Sequence, residues 1–132
     1  MSARILLVEP DPIIAKSYAA ALTKKGHKVD SVRSAQQAIQ TADTNIPDVV
    51  VLEIEMAKHN GIEFLYEFKS YTDWQNIPIV ILTRLPLQEL GGPGGVLERE
   101  LGVIDVLYKP HTSLEALCQV LENVTHGGKA KS

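Results

Sequence analysis

Five short runs of apolar residues alternate along the chain with longer stretches in which apolar residues recur at helical spacing. The runs are Ile5–Val8, Val29–Val32, Val49–Glu53, Ile79–Leu82 and Val103–Tyr108. Runs rich in Val, Ile and Leu are typical of parallel strands that are covered on both faces. The pattern therefore predicts five strands of one parallel sheet.

Residues that favour the start of a helix follow the strands. Asp11 before Pro12 predicts an N-cap and a proline in the first turn, where the missing N–H is not needed. Two further starts have the spacing of a capping box, and they are Ser34 with Gln37 and Thr112 with Glu115. Gly61 opens another predicted helix, and a short one is expected near 96–101. Because parallel strands need helical crossovers, the order predicts a doubly wound α/β sheet.

The composition is that of one globular domain. The chain has 132 residues and a net charge of −3 without a basic cluster, so no direct nucleic-acid binding is expected. A single cysteine, Cys118, excludes an internal disulfide and favours a reducing compartment. There is neither a membrane-length apolar run nor a signal-peptide pattern. We predict a cytoplasmic domain at 1–125 without membrane contact, and a flexible tail or linker stub at 126–132.

The segment 84–101 is the least regular part of the sequence. It contains two prolines and the glycine-rich run Gly91–Gly95. The run lacks the Lys-Ser/Thr pair of a phosphate-binding P-loop, so it predicts a flexible insertion and not a nucleotide site.

Polar side chains stand at the C-terminal ends of four predicted strands. Glu9 and Asp11 follow the first strand, Glu53 ends the third, and Thr83 and Lys109 follow the fourth and fifth. In open α/β sheets, ligands and chemistry gather at these carboxyl ends. Carboxylates, a hydroxyl and an ammonium at one edge point to a phosphoryl-transfer centre.

Five short motifs occur in an order and spacing similar to one known family. They are Leu7-Val8-Glu9-Pro10-Asp11-Pro12, Val51-Leu52-Glu53, Asn60-Gly61, Ile81-Leu82-Thr83 and Tyr108-Lys109-Pro110. From Arg4 to about Val124 the chain resembles the receiver domain of two-component response regulators. The resemblance implies the flavodoxin-like (βα)5 fold, a three-layer sandwich around a parallel sheet of order 2-1-3-4-5.

The resemblance assigns a role to each polar strand-end residue. In a working receiver, an aspartate at the end of the third strand takes a phosphoryl group from a histidine kinase, and Glu53 stands at that position. Thr83 would bond a phosphoryl oxygen, and Lys109 would pair with the phosphoryl charge. Val106 occupies the switch position, which is usually aromatic. Pro110 matches a proline whose preceding peptide bond is typically cis.

The resemblance also implies a Mg²⁺ site, and here the sequence departs from the family. Two acidic residues after the first strand hold the metal in receivers, but Pro10 takes the second position and offers no side-chain oxygen. Glu9, Asp11, Glu53 and the main-chain carbonyl of Glu55 remain as weak candidate ligands. We therefore predict no cofactor apart from weakly bound Mg²⁺. For Asp11, the position before Pro12 favours helix capping over metal binding.

Two departures decide the functional prediction. Glu53 is one methylene longer than aspartate, which moves its carboxylate by about 1 Å or more, and Pro10 removes a metal ligand. We expect an atypical receiver that is not phosphorylated in the usual way, in which a Glu53–Lys109 pair imitates the phosphorylated state. Two alternatives stay open: a phosphate-accepting receiver that uses Glu53 or Asp11, and a small flavodoxin-like protein that binds a nucleotide or flavin.

The expected activity is protein–protein interaction and not catalysis. No glycine fingerprint follows the first strand, and no His or Cys nucleophile ends a strand. The resemblance places the output surface on the face built by the fourth helix, the fifth strand and the fifth helix. The candidate partners are a histidine kinase and a second copy of the chain.

Overall fold

The computed structural model describes residues 2–56, 61–86 and 101–131, with side chains through residue 125. The strands are β1 (Arg4–Val8), β2 (Lys28–Val32), β3 (Val49–Leu52), β4 (Ile79–Thr83) and β5 (Val103–Tyr108). The helices are α1 (Pro12–Lys24), α2 (Ala35–Thr44), α3 (Gly61–Ser70) and α4 (Leu114–Lys131), and a 3-10 turn spans Lys109–His111. The predicted alternation of strands and helices is therefore present in the described residues.

All strand pairs are parallel, and the sheet order is β2-β1-β3-β4-β5. The predicted flavodoxin-like order is thus confirmed. In register, Val8 of β1 lies beside Leu52 of β3, and Thr83 of β4 lies beside Tyr108 of β5. The polar residues that follow these strands consequently meet at one edge of the sheet.

Two apolar layers hold the helices against the sheet. On one face, α2 and α3 pack through Ala38, Phe64 and Phe68. On the other face, α1 and α4 pack through Leu22 and Leu121. All five side chains are at most 1% exposed, and full burial of one large apolar side chain contributes about 1.5–3 kcal/mol. The strands between these layers therefore form a rigid base for the residues at their ends.

The predicted helix caps are present at two positions and shifted at a third. Asp11 caps α1, and the Ser34 hydroxyl accepts a bond from the Gln37 N–H at 3.2 Å. The Thr112 cap is wrong, because α4 begins one residue later and Ser113 Oγ accepts the Ala116 N–H at 3.0 Å. Thr112 instead donates its hydroxyl to the Tyr108 carbonyl at 2.8 Å, which fixes the turn after β5.

Gly61 brings the start of α3 against the chain that leaves β3. Its N–H donates to the Ile54 carbonyl at 2.7 Å, and a Cβ at this glycine would lie 2.7 Å from Ile54 Cα. Only a residue without a side chain fits so close to the backbone. Gly61 thus positions the residues immediately after Glu53.

Four further sequence predictions remain, of which one is wrong, one stays a prediction and two lie outside the described residues. The peptide bond before Pro110 is trans, since no cis bond occurs in the described residues, and Pro110 lies in the 3-10 turn. The α4 backbone is helical to Lys131, and the predicted division into a domain at 1–125 and a tail at 126–132 stays a prediction. The Gly91–Gly95 insertion and all of the predicted 96–101 helix except Leu101 lie outside the described residues. In the described part of the chain, no helix is long and apolar enough to cross a membrane.

Candidate functional site

Four polar residues from four strand ends meet in a buried cluster. Glu9 follows β1, Glu53 follows β3, Thr83 ends β4 and Lys109 follows β5. Glu9, Glu53 and Thr83 are 3%, 2% and 0% exposed, and the Lys109 side chain is 7% exposed. Buried charges need partners, because an unpaired charge in the interior costs several kcal/mol. The arrangement of these four side chains therefore sets the chemistry of the site.

Lys109 is the centre of the cluster. Its Nζ lies 2.6 Å from Glu9 Oε1 and 2.6 Å from Glu53 Oε1. The predicted Glu53–Lys109 contact is thus present. The contact from Lys109 to Glu9 was not predicted, although β1 and β3 are neighbours and place both carboxylates at the same edge. One buried ammonium is shared between two buried carboxylates.

The Glu53 carboxylate accepts four hydrogen bonds. Oε1 accepts from Lys109 Nζ at 2.6 Å and from the Arg84 N–H at 3.2 Å. Oε2 accepts from the Thr83 hydroxyl at 2.5 Å and from the Glu55 N–H at 3.0 Å. An ionised carboxylate has about four lone-pair positions. The hydrogen-bonding capacity of Glu53 is therefore fully used, and sequence reasoning could not find its two backbone donors because any residue supplies an N–H.

The protonation state of the pair follows from these contacts. Burial by itself raises the pKa of the Glu53 carboxyl, but the bonds from Lys109, Thr83 and the Glu55 N–H outweigh burial and hold that pKa below its usual value. Burial likewise lowers the pKa of the Lys109 ammonium, but the two carboxylates outweigh burial and hold the pKa above its usual value. Both groups are charged at neutral pH.

Thr83 connects the cluster to the chain that leaves β4. Its hydroxyl donates to Glu53 Oε2 and accepts the Leu85 N–H at 3.1 Å. The Arg84 guanidinium approaches Glu55 Oε1 at 3.8 Å at the surface of the site. The position of the Glu53 side chain therefore determines the path of residues 83–85.

Asp11 is separated from the cluster by its capping role. Asp11 Oδ1 accepts the Ile13 N–H at 2.9 Å and the Ile14 N–H at 3.2 Å, which satisfies the first turn of α1. Its own N–H donates to Glu9 Oε2 at 3.1 Å. The capping alternative for Asp11 is present in the structure, and its carboxylate is already engaged.

The four candidate metal ligands do not form a Mg²⁺ site in this arrangement. Glu9 and Glu53 are held by Lys109 and Asp11 caps α1, which leaves the main-chain carbonyl of Glu55 as the remaining candidate. Among residues 2–56, 61–86 and 101–125, no group of three or more His, Cys, Asp or Glu side chains could hold a metal ion. Mg²⁺ needs near-octahedral oxygen ligands, and an ammonium lies between the two deepest carboxylates. The residues present do not fit the metal.

The remaining site prediction concerns the switch position. Val106 lies on β5 beside Ile81 of β4 and packs, half-buried, against the core layer of α2 and α3. Two residues further on, the Tyr108 and His111 rings meet edge to face with centroids 5.0 Å apart. The switch role of Val106 stays a prediction.

Comparison with known proteins gives the family. The sequence model of the response regulator receiver domain family matches residues 5–122, and the chain belongs to this family. It is similar to the protein Rrf1 of Nitratidesulfovibrio vulgaris, with 28% identity over 96% of this chain and 88% of Rrf1. It is also similar to the response regulator MprA of Mycobacterium sp. strain KMS, with 29% identity over 91% of this chain. The chain spans 50% of MprA and 15% of a gliding motility regulatory protein of Myxococcus xanthus.

Solved structures show the same fold. NtrX of Brucella abortus, in a complex with ADP, is 25% identical with a TM-score of 0.85 over 99% of this chain and 29% of its own. The chemotaxis protein CheY4 of Vibrio cholerae is 22% identical with a TM-score of 0.83 over 94% of this chain and 99% of its own. Receiver domains are generally non-enzymatic signalling modules that interact with histidine kinases and other proteins, and they typically bind Mg²⁺ at the acceptor site.

The capping role of Asp11 can be tested with a pair of substitutions. Asp11→Ala should lower the free energy of unfolding by about 1 kcal/mol, while Asp11→Asn should stay near wild type because an amide oxygen accepts the same bonds. Urea unfolding with and without millimolar Mg²⁺ measures both. A Mg²⁺-dependent stabilisation of wild type that Asp11→Asn loses would show that Asp11 binds metal instead.

The charge on Glu53 predicts a dependence of stability on pH. A carboxyl with a lowered folded-state pKa adds stability above its ordinary value of 4.5 and loses it as the pH falls through the folded-state pKa. The free energy of unfolding of Glu53→Gln should therefore be about 1–3 kcal/mol lower than that of wild type at pH 7. This difference should become smaller below pH 4.5. Urea unfolding at stepped pH, with exposed Glu67→Gln as control, measures this. If the difference in free energy of unfolding stays constant or grows on acidification, the ion pair does not stabilise the fold as described.

Proposed function

We propose that the chain is an atypical receiver domain that is not phosphorylated in the usual way and acts by protein–protein interaction. The observation that carries the proposal is the full hydrogen bonding of the Glu53 carboxylate by Lys109, Thr83 and two backbone N–H groups. A carboxylate must offer an unshared oxygen lone pair to attack phosphorus. At Glu53 each such lone pair is already committed, so attack would first have to break a contact inside a buried cluster.

The same contacts support constitutive signalling. In receivers, the threonine hydroxyl and the lysine ammonium bind the phosphoryl group, and here both bind the longer glutamate side chain. Thr83 is thereby turned toward Glu53 and holds the Leu85 N–H. A permanent negative group in this position keeps residues 83–85 in one arrangement without phosphate.

Two further features argue against the phosphate-accepting alternatives. Pro10 supplies no oxygen at the position of a metal-binding aspartate, and phosphoryl transfer depends on metal neutralising the transferring group. Asp11, the other candidate acceptor, already caps α1.

The nucleotide- or flavin-binding alternative is disfavoured on a separate ground, because the sequence has no glycine fingerprint for such a ligand.

We assign the partner surface to the face built by three elements: the predicted helix between β4 and β5, the strand β5, and α4, which is the fifth helix of the predicted order. Ile104, on β5, is a large apolar side chain that is 49% exposed. The proposed partners are a histidine kinase or another protein, and a second copy of the chain. Whole relatives such as MprA extend beyond the part matched here, and an activity of such further parts is not carried over.

Phosphorylation is the direct test of this function. Incubated with acetyl phosphate and Mg²⁺, wild type should gain no phosphate in intact-protein mass spectra. Glu53→Asp should remain poorly labelled, whereas Glu53→Asp combined with Pro10→Asp should recover labelling, because acceptor geometry and metal are both needed.

The double variant serves as the positive control, since Thr83 and Lys109 are unchanged in it. Labelling of wild type at Glu53 or Asp11 would refute the proposed function and return the chain to the ordinary phosphorelay.

A further inference from the structure

A groove between α2 and α3 takes no part in the cluster at the strand ends. It has a volume of about 410 Å³ and lies on the sheet face that these two helices cover. We propose that this groove is a second interaction surface, which binds a basic, amphipathic helical segment of a partner protein. The surface is separate from the face assigned above at β5, and the inference does not depend on whether Glu53 accepts phosphate.

Apolar side chains of both helices form the floor of the groove. Ala35 and Ile39 come from successive turns of α2, and Phe64 comes from α3. Ala35 and Phe64 are buried, whereas Ile39 packs against the core and is only half-buried. Burial of apolar surface is favourable, so an apolar side chain of a partner that covers Ile39 adds binding free energy.

Polar side chains form the two rims of the groove. Residues four positions apart lie on the same side of a helix, which places Gln36 and Gln40 on the α2 rim and Glu63 and Glu67 on the α3 rim. All four are exposed. Each helix has 10 residues and is therefore about 15 Å long, which matches a bound helical segment of similar length. An apolar floor between polar rims is the arrangement by which a groove binds an amphipathic helix.

The charge of the groove favours a basic partner. Among its seven described lining residues, two are glutamates and none is basic. The two helices together contain one basic residue, Lys69, and its ammonium donates to the carbonyls of Gln75 and Ile77 beyond the end of α3. Glu67 forms no ion pair within the described part of the chain. A Lys or Arg of the partner beside this rim would therefore add electrostatic complementarity.

A second copy of the chain fits the groove less well than a basic partner. A two-fold interface uses the same surface on both copies, so it would bring the acidic rims of both into one contact. Like charges that meet across an interface oppose association. A partner that carries Lys or Arg beside its apolar residues meets no such repulsion.

Peptide selection tests the inference. Random peptides of about 12 residues, displayed on phage, are selected on wild type, and the affinities of the enriched peptides are measured by fluorescence anisotropy. We expect the enriched peptides to have a net positive charge and apolar residues three or four positions apart. In amide NMR spectra of the protein, they should shift the signals of residues 35–40 and 63–67.

Two matched charge reversals locate the binding site. Glu67→Lys should weaken peptide binding by at least about fivefold. Glu115→Lys makes the same change on an 80% exposed side chain of α4, which packs on the other face of the sheet, and should leave the affinity within about twofold of wild type. Any general attraction between a basic peptide and an acidic protein falls equally in both variants.

A third variant tests the floor of the groove. Ile39→Ala should weaken peptide binding by about tenfold, because it removes the half-buried apolar contact. Urea unfolding checks that each variant is folded. If Ile39→Ala does not fold, the exposed Glu67→Lys carries the test.

The proposal is overturned if selection yields no binder, or if the enriched peptides are not basic or shift only signals outside the groove. Equal weakening by Glu67→Lys and Glu115→Lys would also overturn it. Sedimentation of the protein alone tests the other occupant. Wild-type dimers that Glu67→Lys dissociates and Glu115→Lys does not would make the groove an interface between copies of the chain, which overturns the proposal as well.

Discussion

The ammonium of Lys109, buried between two carboxylates, is the interaction on which the rest of the site depends. It neutralises Glu9 and Glu53 together, and without it two negative charges would face each other at the end of the sheet. It also fixes one oxygen of Glu53, so that the other oxygen can accept the Thr83 hydroxyl. Through Thr83 the contact reaches the chain after β4. A local ion cluster thereby controls the geometry of a loop.

The fold makes this cluster possible because four adjacent strands, β1, β3, β4 and β5, end at the same edge of the sheet. Glu9 and Glu53 follow neighbouring strands, and Thr83 ends the next one. Lys109 follows β5, which is separated from β3 by β4, so a long side chain is needed to reach Glu53 and Glu9. The parallel sheet thus supplies the positions, and the lengths of lysine and glutamate supply the contacts.

The sequence predicts most of the architecture and part of the site. The buried strands could be read from their apolar runs because parallel strands covered on both faces leave little room for polar residues. The Glu53–Lys109 pair followed from strand ends and the family resemblance. The Glu9–Lys109 contact and the bonds from the Arg84 and Glu55 N–H groups could not be predicted from the sequence. A lysine does not indicate how many carboxylates it contacts, and every residue except proline carries a backbone N–H. The predicted N-cap of α4 was wrong by one residue because the adjacent Thr112 and Ser113 both carry a hydroxyl that can cap a helix.

The most direct test is a crystal structure of the wild-type protein grown with Mg²⁺ and beryllofluoride, a phosphoryl mimic. We expect the Glu53 carboxylate to keep its contacts with Lys109 Nζ and Thr83 Oγ1, with neither reagent bound at the site. Beryllofluoride attached to Glu53, or a metal ion between Glu9 and Glu53 with Lys109 turned away, would contradict the account.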